Sequence, residues 1–273
     1  MSAAPSSAYP FGRERHLILA TLLVLSAAAW AVVVWQWSTS DGSDMGLTMG
    51  MAAPLFLALW VAMMVAMMFP TAAPMILMFA RIQKGKDARG QATVPVWTFV
   101  GAYLVVWTVF GALAYAGAAG AERLADRSTW LMDAAPRIGG GVLVAAGLYQ
   151  LSPLKDVCLS KCRTPMQFVL TSWRDGYAGA WRMGIQHGVY CLGCCWMLFV
   201  ILFPLGIMNV AAMALITLLI FAEKSSPLSR AAVMLAAAGL IAYGAFILFV
   251  PDALPTAMNS PNMSTMNAGM NGQ

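Results

Sequence analysis

Charge is what this chain has least of. Asp, Glu, Lys and Arg together make up 10% of its 273 residues, where a soluble domain carries about a quarter. So few charges cannot wet the surface of a water-soluble fold this large, and the 60% hydrophobic content has to face lipid. Histidine is down to two residues, His16 and His187, and cysteine to five, an odd number without the spacing of an extracellular disulfide framework. No hydroxyl nucleophile with a base, no phosphate loop and no paired carboxylates appear, so a hydrolase, kinase or glycosidase has no support. The period-two alternation of barrel strands is absent as well. Backbone groups in lipid must pair internally, so long apolar runs without that alternation are helices. The expected fold is all-α: a polytopic membrane helix bundle of about seven transmembrane helices, N-terminus inside and C-terminus outside.

The net charge of +5 bears on orientation rather than on nucleic acid, and membrane lipid is the expected surround. Arg13, Arg15 and His16 precede an apolar run at 17–37. Ala27 and Ala29 offer a signal-peptide cleavage pattern, but the run continues through Val32, Val33 and Val34 and suits an uncleaved span of about 20 residues. An outer loop with Asp41, Asp44, Met45, Met49 and Met51 leads to a second span at 54–80, whose Pro70 and Pro74 should kink its inner end. A third span is expected at 94–120. A short Gly-rich fourth lies at 138–151, with a start before Pro136 as the alternative. Spans five and six split the 39 residues of 184–222 near Pro204 and Gly206, and a seventh ends near Val250. Of the 16 Lys and Arg residues, 13 fall in the segments this assigns to the inside and three outside, as the positive-inside rule asks of a bacterial inner membrane protein. Residues 1–16 form a cytoplasmic arm, 17–250 the transmembrane domain with a basic, Cys-containing cytoplasmic segment at 152–183, and 251–273 a disordered Met-rich outer tail.

Chemistry concentrates in His187-Gly188-Val189-Tyr190-Cys191-Leu192-Gly193-Cys194-Cys195-Trp196. At about 100° per residue His187, Cys191, Cys194 and Cys195 fall near 0°, 40°, 340° and 80°, on one helix face. An intramembrane histidine is costly and therefore functional by default. Span two brings Met63, Met64, Met67 and Met68 in from the other side to a similar depth. Thiolate, thioether and imidazole together suit Cu(I), with Zn(II) the alternative if the methionines serve only as core packing. Carboxylates are missing from these faces, which excludes the oxygen-seeking ions. Cys158 and Cys162 lie four apart on a short amphipathic helix between Pro153 and Pro165. Lys155, Lys161 and Arg163 beside them should favour the thiolate and make the pair a relay for metal. The tail methionines Met258, Met263, Met266 and Met270 offer thioethers alone.

These residues carry a resemblance. Met63-Met64-Val65-Ala66-Met67-Met68-Phe69-Pro70 after Trp60, Tyr149-Gln150-Leu151-Ser152-Pro153-Leu154-Lys155 leading to Cys158 and Cys162, the His187 to Trp196 motif and Glu223-Lys224 resemble an uncharacterised bacterial family of predicted metal-binding integral membrane proteins. The resemblance implies metal binding; it names no substrate, direction or mechanism. The expected function is Cu(I) transport, trafficking or delivery through a Met/His/Cys site, not enzymatic catalysis, with a metallochaperone or a copper-dependent membrane enzyme as partner and no nucleic acid. Two other readings compete. In a membrane thiol–disulfide oxidoreductase, Cys191 and Cys194 would cycle as a C-x-x-C pair, against which stand the inner location and the lack of outer cysteines. In a structural subunit of a larger membrane complex, the motif would have no chemistry of its own.

Overall fold

The structure, a computed structural model, describes residues 11–39, 46–225 and 229–254. All regular structure among them is helical: α1 (Phe11–Thr39), α2 (Ala53–Asp87), α3 (Val96–Ala125), α4 (Thr129–Gln150), α5 (Pro153–Arg163), α6 (Pro165–Ser172), α7 (Gly176–Val200), α8 (Leu202–Leu205), α9 (Val210–Ser225) and α10 (Ser229–Phe249). Among the described residues six helical segments are long and apolar enough to cross a membrane: α1, α2, α3, α4, α7 continued through α8, and α10. The expected seven becomes six. The break foreseen at Pro204 and Gly206 uses up the residues of a full span, with Gly206 at a φ of 94°. It leaves α9 with 16 residues, about 24 Å of helix at 1.5 Å per residue against roughly 30 Å of hydrocarbon.

Helix starts follow local chemistry. Ser152 caps α5 by accepting the Lys155 backbone N–H at 3.2 Å, with Pro153 in the first turn, where proline has no donor to lose. α4 begins at Thr129 and runs through Pro136, so the earlier of its two expected starts is the one adopted. α2 likewise continues through Pro70 and Pro74 to Asp87. Pro70 cannot donate to the Ala66 carbonyl one turn back, and α1 supplies the missing donors: Ser26 Oγ reaches Ala66 O at 2.7 Å and the Trp30 indole at 3.1 Å. The proline thus becomes the place where α1 is tied to the methionine helix.

One end of the bundle is closed by ion pairs, Lys84 with Glu14 at 2.8 Å and Lys86 with Asp175 at 2.5 Å. Near the other end Glu122 accepts both the backbone N–H and the hydroxyl of Thr48, each at 2.8 Å. α10 runs antiparallel to α4, Gly140 lying against Gly244 and Ile247, and Gly147 against Ala237 and Ile241.

α3 and α7 run side by side, and glycine sets their separation. A Cβ on Gly184 would stand 2.4 Å from the Phe99 carbonyl oxygen, and one on Gly188 2.8 Å from Val106 Cγ2. Two glycines one turn apart let helix backbones meet closely in lipid, and this contact carries His187 and Cys191 onto the face of α3. Replacing Gly184 by leucine is expected to destabilise the protein by about 1–3 kcal/mol, the usual cost of overpacking, measured as a lowered melting temperature in detergent. An unchanged melting temperature would show that the two helices are held apart by something else.

A candidate soft-metal site beneath helix α5

Cys191 is the hub of the site. Its sulfur lies 3.2 Å from the Tyr103 hydroxyl of α3 and receives the Lys224 ammonium of α9 at 3.0 Å. Its carbonyl accepts the thiols of Cys194 at 3.1 Å and Cys195 at 2.8 Å, and those two sulfurs are 3.3 Å apart. All three cysteines are buried. The helical geometry puts the sulfurs where the sequence spacing placed them, on one face of α7.

From the other side comes α5. Gly193 gives it room: a Cβ there would lie 2.7 Å from the Cys158 sulfur, and the Tyr149 hydroxyl donates to the Gly193 carbonyl at 2.5 Å. Cys162, on the same short helix, interacts with Cys191 and Cys194. The cysteines expected on a separate inner surface are therefore part of the same cluster, and all five are free thiols.

The cationic activation expected for Cys158 and Cys162 does not operate. Lys155, the nearest cation in sequence, is 1% exposed and bonded to Glu223 at 2.7 Å; Gln150 bridges the pair, accepting from Lys155 and donating to Glu223 at 3.1 Å. Burial instead pushes the Cys158 thiol up, with Cys194 adding to it. Cys162 is held well above the usual thiol range by its hydrogen bonds to Cys191 and then Cys194, and by burial.

His187 lies one turn below Cys191, between Phe99, Tyr103 and Phe168, with ring centroids at 5.8, 5.5 and 5.7 Å. It is 3% exposed, and neither ring nitrogen has a hydrogen-bond partner among the described residues, a state it shares with the Trp107 indole nitrogen. The two orphans differ. An indole nitrogen only donates, while neutral imidazole also offers a lone pair, and an unmatched buried lone pair costs free energy unless something binds it. Since α7 starts at Gly176, His187 is eleven residues inside the helix, about 16 Å, rather than the single turn expected from a span beginning at Gly184.

Met63, Met64, Met67 and Met68 are at most 1% exposed. α2 touches α7 through Trp60 and Phe199, ring centroids 6.4 Å apart. The hydrogen bond described at a sulfur of this quartet comes from Thr71, 3.9 Å from Met68 Sδ, and not from the cysteine cluster. Of the outer methionines, Met49 is buried and Met51 partly so; Met45 and the tail methionines lie outside the described residues. Among the described residues no three His, Cys, Asp or Glu side chains are arranged as a finished metal cage. The donors are gathered but bonded to one another and to the helix backbone.

The residues that sequence reasoning missed are Tyr103 and Lys224. Lys224 stands 33 positions from Cys191 and read as an inner-loop cation. Its signal was the ionisable pair Glu223-Lys224 ending an apolar run, since charges at membrane depth pair and mark function.

Comparison with known families bears on this donor set. The sequence model of PpoB2, a copper chaperone family, matches residues 57–247. The chain belongs to this family. The matched stretch takes in the α2 methionines, both cysteine groups, His187 and Lys224, while Met49 and Met51 lie before it. No curated protein and no solved structure matches the chain. Family membership and the apolar helices make this PpoB2-family chain a copper-related protein with helices able to cross a membrane.

Proposed function

We propose that the protein binds Cu(I) at the thiol cluster beneath α5 and hands it on to a copper-dependent partner. One observation carries the reading: Cys191, Cys194 and Cys195 are buried together on α7, the sulfurs of Cys194 and Cys195 3.3 Å apart and both bonded to the Cys191 carbonyl, one turn from a histidine with no hydrogen-bond partner among the described residues. Sulfur donors of this kind suit Cu(I), and Zn(II) is the competing ion for His and Cys. Cys158, at the edge of the cluster against Gly193, serves as the first acceptor for metal leaving it and gives up its thiol proton as the metal binds. The buried methionine row of α2 supplies neutral thioether donors on the path from the opposite face, and the Met-rich tail collects copper there.

The ion-paired end of the bundle, with Glu14, Lys84, Lys86 and Asp175, is the cytoplasmic end of an inner membrane protein. This fits the excess of Lys and Arg in the segments on that side. With the first helix leaving from this end and α9 returning the chain towards it before α10, the C-terminal tail lies outside. Metal analysis of the detergent-purified chain, loaded under reducing conditions, tests the reading. Copper is expected at one equivalent or more, removable by a Cu(I) chelator, with sulfur backscattering in the X-ray absorption spectrum. Absence of bound copper, or undiminished binding by the Cys191→Ser/Cys194→Ser variant, would sink it.

A further inference from the structure

We propose that Lys224 sets the charge preference of the site, making the thiol cluster select a monovalent soft cation over a divalent one. The inference rests on the copper reading above and concerns how the same site excludes zinc.

Lys224 Nζ sits 3.0 Å from Cys191 Sγ. An ion bonded to that sulfur at about 2.3 Å therefore lies no farther than about 5 Å from the ammonium. Among the described residues no carboxylate pairs with Lys224. The adjacent Glu223 is turned away and bonded to Lys155 and Gln150, so those two charges cancel each other and leave the ammonium uncompensated except by sulfur. The other groups facing Cys191 carry no carboxylate either: the Tyr103 hydroxyl from α3, Cys194 and Cys195 from α7 and Cys162 from α5.

In the metal-free protein one positive charge already satisfies the cluster. A monovalent ion bound to that sulfur meets the ammonium's repulsion once; a divalent ion meets it twice. At about 5 Å and an effective dielectric constant near 20, one unit of extra repulsion corresponds to a discrimination on the order of 100-fold. Sulfur donors alone do not supply this, because thiolate and imidazole bind zinc well. A cation held against the central sulfur turns a generic soft site into one graded by charge.

The test compares two affinities on the full chain in detergent. Cu(I) is measured by competition with a chromophoric Cu(I) chelator and Zn(II) with a fluorescent zinc chelator, for wild type, Lys224→Met and Lys224→Arg. Lys224→Met keeps much of the stem and removes the charge; its preference for copper over zinc is expected to fall by about 100-fold, while Lys224→Arg stays within about threefold of wild type. A Lys224→Met ratio within about threefold of wild type overturns the inference. Lys224→Gln replaces Lys224→Met if the latter elutes as aggregate. Absence of Cu(I) binding by wild type itself is a separate failure, since it overturns the copper reading on which the inference rests. A purely structural role for Lys224 would lower both affinities together and leave their ratio unmoved.

Discussion

A Cys194→Ser protein is expected to lose Cu(I) affinity by at least about 100-fold, more than the usual loss on removing a group that merely supports a metal ligand, while melting at the wild-type temperature. Cys194 donates to the Cys191 carbonyl at 3.1 Å and touches Cys195 at 3.3 Å. Serine can replace that hydrogen bond in the same helix, and it removes the soft donor that copper requires. Cys191→Ser should cost at least as much affinity, but it also strips Lys224 of its sulfur partner and leaves a charge poorly matched in the interior, which itself destabilises. The pair of variants separates ligation from folding. Cys158→Ser is expected to act more weakly, because Cys158 stands at the edge of the cluster against Gly193. Competition titration with a Cu(I) chelator and thermal melting on the same preparations check all three. A Cys194→Ser protein with wild-type affinity would remove this thiol from the ligand set.

Much of this site was legible in the sequence because helical spacing is local. His187, Cys191, Cys194 and Cys195 share a face by their numbers alone, and Ser152-Pro153 and Thr164-Pro165 bracket α5 where capping chemistry puts the boundaries. What stayed hidden is tertiary. Lys155 counts as a surface cation in any tally of basic loops, yet it is one of the most deeply buried side chains in the chain, because its partner Glu223 arrives from a helix 68 residues later. The same burial cancelled the activation expected for Cys158 and Cys162. Pro70 reads as a kink, and the structure answers it with donors from α1 that no local pattern announces. The sixth span failed on length: a proline and a positive-φ glycine mark a break, but only the folded chain shows that α9 keeps 16 residues.

Those buried charges set the second large effect. Glu223→Gln is expected to destabilise the protein by about 3–5 kcal/mol, because it leaves the Lys155 ammonium in the interior without its counter-charge. Lys155 and Glu223 are 1% and 2% exposed, and Gln150 bonds to both, so no second carboxylate stands ready to compensate among the described residues. The pair also does mechanical duty: Lys155 lies in the first turn of α5, and its bond to α9 holds that helix over Cys191, Cys194 and Gly193. Loss of Glu223 should therefore free the α5 end of the site before the whole bundle unfolds. Alkylation of Cys158 and Cys162 by a small maleimide, located by mass spectrometry, is expected to speed up in Glu223→Gln while Cys194 and Cys195 remain protected. Replacing both members, Lys155→Met with Glu223→Leu, removes the stranded charge together with its partner, and apolar replacement of a buried pair is often neutral or better. The double variant should regain most of the lost melting temperature. If it melts no higher than Glu223→Gln, the stability came from the shape of this junction and not from the matching of its charges.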